Sequence, residues 1–453
     1  MTKSTNAPLL TPESREWFIL GGTVIDPSQN LDAPMDVWVR DGKIAAISKP
    51  GSFKPHPAAG VIELKSHQWV LPGLIDIHVH LREPGIEYKE TIATGTHAAV
   101  AGGFTSVACM ANTLPVNDTP YTTAFIRERA KSTAYCKVFI IGAVTKGLKG
   151  EELAEIGGMV TEGAVAISDD GMPVMNSYVM RKAMDYARAF NVPVISHAED
   201  LNLVGQGVMN EGPLSSELGL RGIPAAAEEI LVAREIALCR LTRTPTHIAH
   251  ISTAVGLEHV RRAKEAGLPI TAEASPHHLT LTENEMRAYN TNFKMAPPLR
   301  SHTDVEALIE AIKEGVIDII ATDHAPHGEV DKNVEFSEAA NGIIGLQTAV
   351  PLTLDLVHRG LVSKKLWINA YTQGPSRLLN LGLGTLKSER PADITILDPD
   401  LKYEIHKEDI HSKSANSPFL GRTLQGKALA TLVAGELRYL DPRMKSHVRT
   451  ETF

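Results

Sequence analysis

Two histidines and an arginine alternate with apolar residues in the segment GLIDIHVHLREPG, residues 73–85. Because side chains of a β-strand alternate between its two faces, a strand here would place His78, His80 and Arg82 on one face. Paired imidazoles suit a divalent metal such as zinc, and a guanidinium holds a carboxylate through two hydrogen bonds. The segment predicts either a metal site beside an anion-binding group or a half-exposed strand with a polar outer face.

Further histidines and carboxylates follow other short apolar runs of the chain. They are Asp169 and Asp170 after AVAIS, His197 in PVISHAE, His250 in THIAHIS and Asp323 in DIIATDH. A single histidine or carboxylate at a strand end is usually a cap or a surface group. Here such residues occur at the ends of five runs, which capping or surface exposure alone does not explain. Four histidines and two carboxylates are enough for two divalent metals with a bridging carboxylate. Asp169 and Asp170 are the competing candidates for the bridge.

Three other histidines lie close to these residues in the sequence. His247 precedes His250 by three positions and therefore faces the other side of its strand, which favours a structural role. His277 and His278 occur in ASPHHL, after the seventh apolar run, and either support the metal ligands or are polar loop residues, of which we favour the loop interpretation. None of the three is included in the predicted metal site.

The elements that must carry these residues recur with a regular pattern. Eight short apolar runs begin near residue 73: GLIDIHVHL, FTSVACMA, KVFIIGAV, AVAISDD, PVISHAE, THIAHIS, ITAEASP and DIIATDH. Helical patterns such as NSYVMRKAMDYARAF separate them, and eight strand–helix units predict a closed (β/α)8 TIM barrel. A doubly wound open sheet is the alternative. In a barrel, active sites lie at the carboxyl ends of the strands, which is where the chemically competent residues fall.

Both ends of the chain differ from this pattern. Residues 17–66 contain WFILGGTVIDP and MDVWVRDGKIAAI, and the C-terminal part contains ADITILDPD and GKALATLVAGELRYL, with a tight turn predicted at Gly435 and Glu436. Neither end has enough strands to bury a sheet alone, so we expect one small β-sandwich built from both. The predicted organisation is a flexible arm over residues 1–15, a composite sandwich from residues 16–68 and 385–442, and a barrel over residues 69–384.

Composition excludes several classes of function. The 453 residues are 43% hydrophobic and 22% charged, and none of the apolar runs approaches the length of a membrane span. A formal net charge of -8 gives no reason to expect nucleic acid or an anionic membrane as a partner. The widely spaced Cys109, Cys136 and Cys239 indicate reduced core residues. Because the polar N-terminal segment also lacks a signal-peptide core, we expect a cytoplasmic protein.

These motifs resemble those of the cyclic amidohydrolases, and most closely those of the long-type dihydroorotases. The similarity extends over nearly the whole chain and is carried by DIHVHLREPG, GGFTSVACMANT, SDDG, ISHAED, HIAHIST, EASPHHL, KMAPPLRS and ATDHAPH. The related hydantoinases and allantoinases commonly bridge their metals with a carboxylated lysine on the fourth strand, whereas this chain has AVAISDDG there. An aspartate bridge is similar to that of one branch of dihydroorotases.

The resemblance implies specific roles at the matching positions. The implied metal ligands are His78, His80 and Asp323 for one ion, His197 and His250 for the other, and Asp170 as the bridge. The implied substrate contacts are Arg82 and Asn112, which would hold a carboxylate, and His327. The resemblance thus implies two divalent ions per chain, with zinc preferred and with manganese and cobalt also compatible with these ligands.

The implied reaction is the reversible cyclisation of N-carbamoyl-L-aspartate to L-dihydroorotate in pyrimidine biosynthesis. A hydroxide that bridges the metals would attack the ring carbonyl, with Asp323 as general acid and base. The chain departs from the family pattern at Ala296, where KMAPPLR stands in place of KMNPPLR and one substrate-binding asparagine is missing.

Two alternative functions remain open, and the departure at Ala296 supports the first of them. One is another cyclic amidase, of the hydantoinase or allantoinase kind, and the other is a weakly active scaffold that binds aspartate transcarbamoylase. The expected partners are a small anionic cyclic amide and further copies of the chain in a homo-oligomer, with aspartate transcarbamoylase as a possible third. Neither nucleic acid nor a membrane is expected.

Overall fold

Strands and helices alternate through the middle of the chain, and strands dominate near both ends. The structure is a computed structural model that describes residues 16–450, so the predicted arm over residues 1–15 lies outside the described residues. The strands are β1 (Glu16–Leu20), β2 (Thr23–Asp26), β3 (Leu31–Pro34), β4 (Asp36–Arg40), β5 (Lys43–Ser48), β6 (Gly60–Glu63), β7 (Trp69–Pro72), β8 (Leu74–Val79), β9 (Phe104–Cys109), β10 (Lys137–Gly142), β11 (Ala164–Ile167), β12 (Val194–Ser196), β13 (Met209–Asn210), β14 (Gly222–Ile223), β15 (Thr246–Ile248), β16 (Ile270–Ala274), β17 (Ile319–Ile320), β18 (Ile394–Glu404), β19 (Thr423–Val433), β20 (Glu436–Leu440) and β21 (Val448–Arg449). The α-helices are α1 (Ile92–Ala101), α2 (Pro120–Thr133), α3 (Ile156–Thr161), α4 (Ser177–Ala189), α5 (Leu201–Val204), α6 (Pro213–Leu218), α7 (Ala226–Thr242), α8 (Ala254–Glu265), α9 (Pro276–Thr280), α10 (His302–Lys313), α11 (Glu329–Lys332), α12 (Ala349–His358), α13 (Lys364–Tyr371) and α14 (Gln373–Leu378).

Eight of these strands form one parallel sheet, in the order β8, β9, β10, β11, β12, β15, β16 and β17. A parallel bridge joins Val79 to His324, and the His80 N–H donates to the His324 carbonyl oxygen at 2.9 Å. These contacts bring the two edges of the sheet together and close it. Each of the eight apolar runs contains one of the strands, so the predicted (β/α)8 barrel is confirmed and the open doubly wound sheet is wrong.

Helix α4 illustrates how the sequence sets the packing around the barrel. The Asn176 side chain precedes it and accepts a hydrogen bond from the Tyr178 N–H at 2.9 Å, which satisfies a free donor of the first turn. Its buried residues recur with helical spacing along one face, namely Val179, Met180, Ala183, Met184 and Ala187.

No helix within residues 16–450 is long and apolar enough to cross a membrane.

Two further sheets combine strands from both ends of the chain. One has the order β21, β6, β1, β4, β5 and the other β20, β19, β18, β7, β2, β3. Apolar side chains from both ends, such as Trp17 and Ile394, are fully buried in one shared cluster. The small β domain built from both ends is therefore as predicted. Two of its strands, β7 and β21, lie beyond the residue ranges that we assigned to it from the sequence.

Two tight hairpin turns meet in this β domain. Asp41 and Gly42 join β4 to β5 with φ values of 51° and 76°, and Ala434 and Gly435 join β19 to β20 with φ values of 48° and 78°. Positive φ at both central residues matches the twist of a two-residue hairpin. A Cβ on Gly435 would lie 2.7 Å from the Cα of Gly42, so glycine is required for the contact. The turn lies one residue earlier than predicted, because Glu436 already belongs to β20.

Candidate active site

The Asp170 carboxylate lies among four histidines at the carboxyl ends of the barrel strands. Its Oδ1 atom lies 3.3 Å from His78 Nε2, 3.5 Å from His197 Nδ1 and 3.4 Å from His250 Nε2. Its Oδ2 atom lies 3.4 Å from His80 Nε2. All five residues are at most 5% exposed. Asp170 therefore belongs to two groups of candidate ligands, one with the pair His78 and His80 and the other with the pair His197 and His250.

Asp323 joins the first of these pairs. Its Oδ1 atom lies 3.1 Å from His80 Nε2 and 3.5 Å from His78 Nε2. Asp323 and His250 both lie just beyond the ends of their strands, with φ values of 49° and 30°. Such values are uncommon for residues other than glycine, and strained residues of this kind cluster at functional sites. The structure thus brings together all six residues that the family resemblance of the motifs implies as metal ligands.

Asp169 faces away from this cluster. Its Oδ1 atom accepts hydrogen bonds from the Val144 N–H at 2.7 Å and the Thr145 N–H at 3.1 Å, and its Oδ2 atom accepts from the Thr145 hydroxyl. Asp169 therefore fixes the loop that follows β10. Of the two candidate bridging residues, only Asp170 lies beside the histidines.

The donor atoms of the cluster suit divalent metal ions. Three buried atoms that face its centre lack a hydrogen bond within residues 16–450: His78 Nε2, His197 Nδ1 and Asp170 Oδ1. Leaving a polar atom buried without a partner costs about 1–3 kcal/mol, and coordination of a cation would remove that cost. In each of two groups, His78–His80–Asp170 and Asp170–His197–His250, the ligand atoms lie within 4.8 Å of one another. Imidazole nitrogens and carboxylate oxygens in these two groups are suitable ligands for divalent metal ions.

Electrostatics also favour positive charge in this cluster. Burial raises the pKa of Asp170, but the charge of His78 in the metal-free protein and the close ring nitrogens of His197 and His250 outweigh it and hold that pKa well below its usual range. Burial likewise opposes ionisation of Asp323, while His78 and His80 lower its pKa below the ordinary value. Both carboxylates therefore stay ionised at neutral pH and attract cations.

Three of the four histidines also contact an oxygen atom through the ring nitrogen that faces away from Asp170. Glu273 Oε1 lies 2.5 Å from His78 Nδ1, and Asn112 Oδ1 lies 2.8 Å from His80 Nδ1. A hydrogen bond at the outer nitrogen fixes the tautomer and leaves the lone pair of the inner nitrogen for a metal.

The third contact is longer and also involves a glutamate. Glu199 Oε2 lies 3.5 Å from His197 Nε2, and the other oxygen of Glu199 is buried without a hydrogen bond in the described chain. Neither Glu199 nor Glu273 was among the predicted site residues. The sequence did contain a signal for both, since each is an acidic residue within or directly after an apolar run that forms a strand. A charge at such a position is costly without a partner.

A cavity of about 290 Å³ opens next to the cluster. The predicted site residues that line it are His80, Arg82, Asn112, Asp170, His197, His250, Asp323 and His327. His78 lies beneath them and is fully buried. The cavity wall also includes Ala296, so the position that departs from the family pattern faces the site.

Arg82 reaches the cavity by a different route from the one predicted. The strand ends at Val79, and Arg82 has a φ of 60°, so the prediction that a continuing strand aligns it with the histidines was wrong. A left-handed turn places it there instead, with its Nε donating to the Pro326 carbonyl oxygen at 3.4 Å. Burial lowers the pKa of Arg82 to about 10 against the opposing effect of Asp323 and Asp170. It remains a cation at neutral pH.

His327 lines the cavity with both ring nitrogens engaged. Its Nε2 donates to the Asn341 carbonyl oxygen at 2.8 Å, and its Nδ1 accepts from Lys89 Nζ at 3.1 Å. Burial, together with Arg82 and Lys89, lowers the pKa of His327 to about 2, so the ring is neutral. A direct contact with a substrate would require His327 to exchange one of these bonds.

The three histidines left out of the predicted site are all buried. His247 Nε2 contacts Glu273 Oε2 at 3.1 Å, which agrees with a structural role. His277 and His278 belong to α9, and His278 Nε2 donates to the Pro297 carbonyl oxygen at 3.0 Å. The interpretation of this pair as polar loop residues was wrong, because α9 begins directly after β16 and packs both rings into the interior.

Comparison with known proteins agrees with this geometry. Residues 67–255 match a family model described as dihydro-orotase-like. The dihydroorotase of Syntrophotalea carbinolica is 49% identical over 425 residues, which cover 93% of this chain and 98% of that protein. The dihydroorotase of Geotalea daltonii is 50% identical over 424 residues, with coverage of 93% and 98%. The chain belongs to the dihydroorotase family. The resemblance stated from the motifs is thereby confirmed.

Solved structures of other cyclic amidohydrolases share the fold of this dihydroorotase-family chain. The L-hydantoinase of Arthrobacter aurescens superposes with a TM-score of 0.83 at 23% sequence identity, covering 93% of this chain and 95% of that one. The dihydropyrimidinase of Brevibacillus agri gives a TM-score of 0.80 at 22% identity, with coverage of 93% and 94%. At this level of identity the likeness shows the shared fold alone. Membership in the dihydroorotase family identifies the chain as a metal-dependent cyclic amidohydrolase.

Proposed function

We propose that the protein is a dihydroorotase that interconverts N-carbamoyl-L-aspartate and L-dihydroorotate in pyrimidine biosynthesis. One observation supports this most directly: the Arg82 guanidinium and the cluster around Asp170 border the same cavity of about 290 Å³. Dihydroorotate is a ring amide that carries a carboxylate. A buried cation suits the carboxylate, and a metal site suits the amide carbonyl.

Two divalent ions, with zinc as the preferred metal, form part of this proposal. The residues that would hold them are His78, His80 and Asp323 for one ion, His197 and His250 for the other, and Asp170 between them. When bound, the ions would polarise the ring carbonyl and lower the pKa of the attacking water. The same ligands accept manganese or cobalt, so metal analysis decides the identity.

Asp323 is the residue best placed to move the proton. It borders the cavity, and its Oδ1 atom lies 3.1 Å from His80 Nε2. In ring opening, its carboxylate would accept a proton from the attacking water and pass it to the leaving ring nitrogen. In ring closure, it would take a proton from the ureido nitrogen and deliver it to the departing hydroxyl. One carboxylate thus serves both directions.

Arg82 and Asn112 would hold the substrate carboxylate. Both line the cavity, and the Asn112 oxygen already contacts His80, which leaves the Asn112 amide N–H groups to donate. A guanidinium offers two parallel N–H groups to a carboxylate and therefore fixes its direction as well as its charge. His327 would contact the ring after releasing Lys89 or the Asn341 carbonyl.

A second candidate is the hydrolysis of a different cyclic amide, as in hydantoinases or allantoinases. Ala296 favours it, because a methyl group in the cavity wall leaves room that an asparagine would fill. The fourth strand argues against this candidate, because hydantoinases and allantoinases commonly have a carboxylated lysine there and AVAISDDG has no lysine. A scaffold of low activity for aspartate transcarbamoylase is less well supported, because a scaffold has no chemical need for six convergent ligands.

Assays of metal-loaded protein discriminate between these candidates. L-Dihydroorotate, N-carbamoyl-L-aspartate, hydantoin and allantoin are tested at the same protein concentration. We expect turnover in both directions of the dihydroorotate reaction, with kcat/KM at least about 100-fold above that for hydantoin, because a site built for a carboxylate discriminates against a ring without one. A higher kcat/KM for hydantoin or allantoin would favour the second candidate, and turnover of none would favour the scaffold.

The proposal also covers assembly and compartment. We propose a homo-oligomer, with aspartate transcarbamoylase as a further partner, and light scattering of the protein with and without that enzyme tests both. A reducing, cytoplasmic compartment is proposed because Cys109, Cys136 and Cys239 are all buried and free of disulfides.

A further inference from the structure

A continuous row of side-chain contacts crosses the barrel interior below the cavity. The Thr271 hydroxyl lies 2.7 Å from His247 Nδ1, and His247 Nε2 lies 3.1 Å from Glu273 Oε2. Glu273 Oε1 in turn lies 2.5 Å from His78 Nδ1, and His78 Nε2 faces Asp170. His247, Glu273 and His78 are at most 1% exposed, and none of them borders the cavity. The row therefore reaches the metal ligands without touching a substrate.

Hydrogen-bond chemistry fixes the direction of each contact in this row. An ionised carboxylate only accepts, so His247 Nε2–H and His78 Nδ1–H must both donate to Glu273. The other nitrogen of His247 then accepts from the Thr271 hydroxyl. The other nitrogen of His78 faces Asp170, and its lone pair becomes available to a metal that displaces the proton there. Glu273 thus selects the tautomer of His78 that can bind a metal.

Glu273 also contacts the second group of metal ligands. The backbone N–H of His250 donates to Glu273 Oε1 at 3.3 Å. His250 has an unusual φ of 30°, a conformation that persists only where surrounding contacts hold it. One carboxylate on β16 therefore contacts the ring of a ligand from β8 and the backbone of a ligand from the segment after β15.

The outer contacts of the other histidines are weaker. Asn112, on His80, is a neutral amide, and the Glu199 contact with His197 is 3.5 Å long, at the limit of a hydrogen bond. His250 Nδ1 has no hydrogen bond from any described residue. Among the described residues that contact the outer nitrogens of these histidines, Glu273 alone combines a negative charge, a short contact to a ligand ring and a second contact to another ligand.

We propose that Glu273, held in place by His247, is a positioning residue that fixes the two groups of metal ligands relative to each other and so sets how tightly the protein retains metal. The proposal rests on the metal-dependent function above, but it makes a claim about metal affinity alone. Substrate does not enter it, because Glu273 lies outside the cavity.

The test measures zinc affinity of metal-free protein by competition with a chromophoric chelator, without substrate. Glu273→Gln keeps the volume and removes the charge, and we expect its zinc affinity to fall by about 10- to 100-fold. Glu199→Gln is the matched control, an identical change at the longer contact, and we expect a clearly smaller loss. Wild-type affinity in Glu273→Gln, or an equal loss in both variants, would overturn the proposal.

A second pair of variants covers the case in which Glu273→Gln does not fold. His247→Phe keeps a ring of similar size but removes the donor to Glu273, whereas His247→Gln retains an N–H at that position. We expect weaker zinc binding in His247→Phe and recovery in His247→Gln, with circular dichroism confirming the fold of both. Unchanged affinity in a folded His247→Phe would contradict the proposal.

The outcome is separable from that of the proposed function. Wild-type protein that binds zinc tightly but does not act on dihydroorotate would reject the proposed substrate and leave the role of Glu273 intact. Wild-type protein that binds no zinc would reject both. Glu273→Gln with wild-type affinity would reject the role of Glu273 alone.

Discussion

Asp169 and Asp170 are adjacent in the chain but face opposite sides of the loop that follows β11. Asp170 contacts four histidines at 3.3 to 3.5 Å, whereas Asp169 accepts hydrogen bonds from the backbone of Val144 and Thr145. Two residues of the same type thus have separable roles, one toward metal and the other toward the stability of a loop. That separation is directly testable.

Asp170→Ala should lose bound metal, whereas Asp169→Ala should keep it. Removal of Asp169 leaves two backbone N–H groups without their acceptor, so the free energy of unfolding of Asp169→Ala should fall by about 2–6 kcal/mol, from about 1–3 kcal/mol for each lost partner. Elemental analysis and urea unfolding of both variants provide the comparison. Equal metal loss in the two variants, or the reverse order, would show that the bridge is misassigned.

His78→Ala and His80→Ala should each abolish turnover by removing a ligand of the first metal. His358→Ala, an exposed histidine at the end of α12, is the matched control and should behave as wild type. Metal content and dihydroorotate hydrolysis are measured for all three variants. Wild-type rates in either cluster variant would refute the ligand assignment.

Arg82→Gln should weaken binding of dihydroorotate without loss of metal. A charge-assisted hydrogen bond contributes about 1.5–3 kcal/mol, so KM should rise by about 10- to 150-fold, with a smaller effect on kcat. A neutral cyclic amide without a carboxylate serves as the control substrate, and its weak turnover should be unaffected. A similar loss for both substrates would argue against a carboxylate contact.

Ala296→Asn distinguishes the two candidate functions by the sign of its effect. In a dihydroorotase, the new amide adds a hydrogen bond at the cavity wall and should lower KM for dihydroorotate by about tenfold, equivalent to about 1.4 kcal/mol. If the natural substrate is a larger cyclic amide, the same side chain should crowd it and impair activity. Steady-state kinetics on each substrate shows whether the substitution raises or lowers KM. Unchanged kinetics on all of them would show that the side chain at position 296 does not contact the substrate.

Gly435→Ala should destabilise the β domain more than Gly51→Ala. Both glycines have a φ of 78°, and each substitution should cost about 1–2 kcal/mol for that conformation. A Cβ at Gly435 would also meet the Cα of Gly42 at 2.7 Å, whereas a Cβ at Gly51 would have no atom within 4 Å among the described residues. Overpacking adds about 1–3 kcal/mol. Equal midpoints in urea unfolding would contradict the close contact of the two turns.

The barrel and the convergence of its metal-binding residues were predictable because both follow from periodicity. Eight apolar runs define the strands, and parallel strands bring their carboxyl ends together, so His80 and Asp323 meet at 3.1 Å although they lie 243 positions apart in the chain. Arg82 shows where this reasoning fails. Periodicity does not reveal where a strand ends, and a left-handed turn after Val79 places the guanidinium instead.

Contacts between strands were not predictable in the same way. Glu273 and His78 lie on strands that are not neighbours in the sheet, and nothing local in ITAEASP specifies which side chain the glutamate meets. His277 and His278 were misinterpreted for a related reason, since their burial depends on how α9 packs into the interior. Composition shows that a buried acid or imidazole needs a partner, and only the three-dimensional structure identifies it.

Titration of metal-free protein with zinc, followed by dihydroorotate hydrolysis, tests the central claim most directly. Because six convergent ligands exceed the four of one tetrahedral site, activity should be absent without metal and should saturate at about two ions per chain. Asp170→Ala in parallel should show no recovery at the same zinc concentrations. Full activity after exhaustive chelation, or saturation at one ion per chain with no further binding, would contradict a binuclear dihydroorotase centred on Asp170.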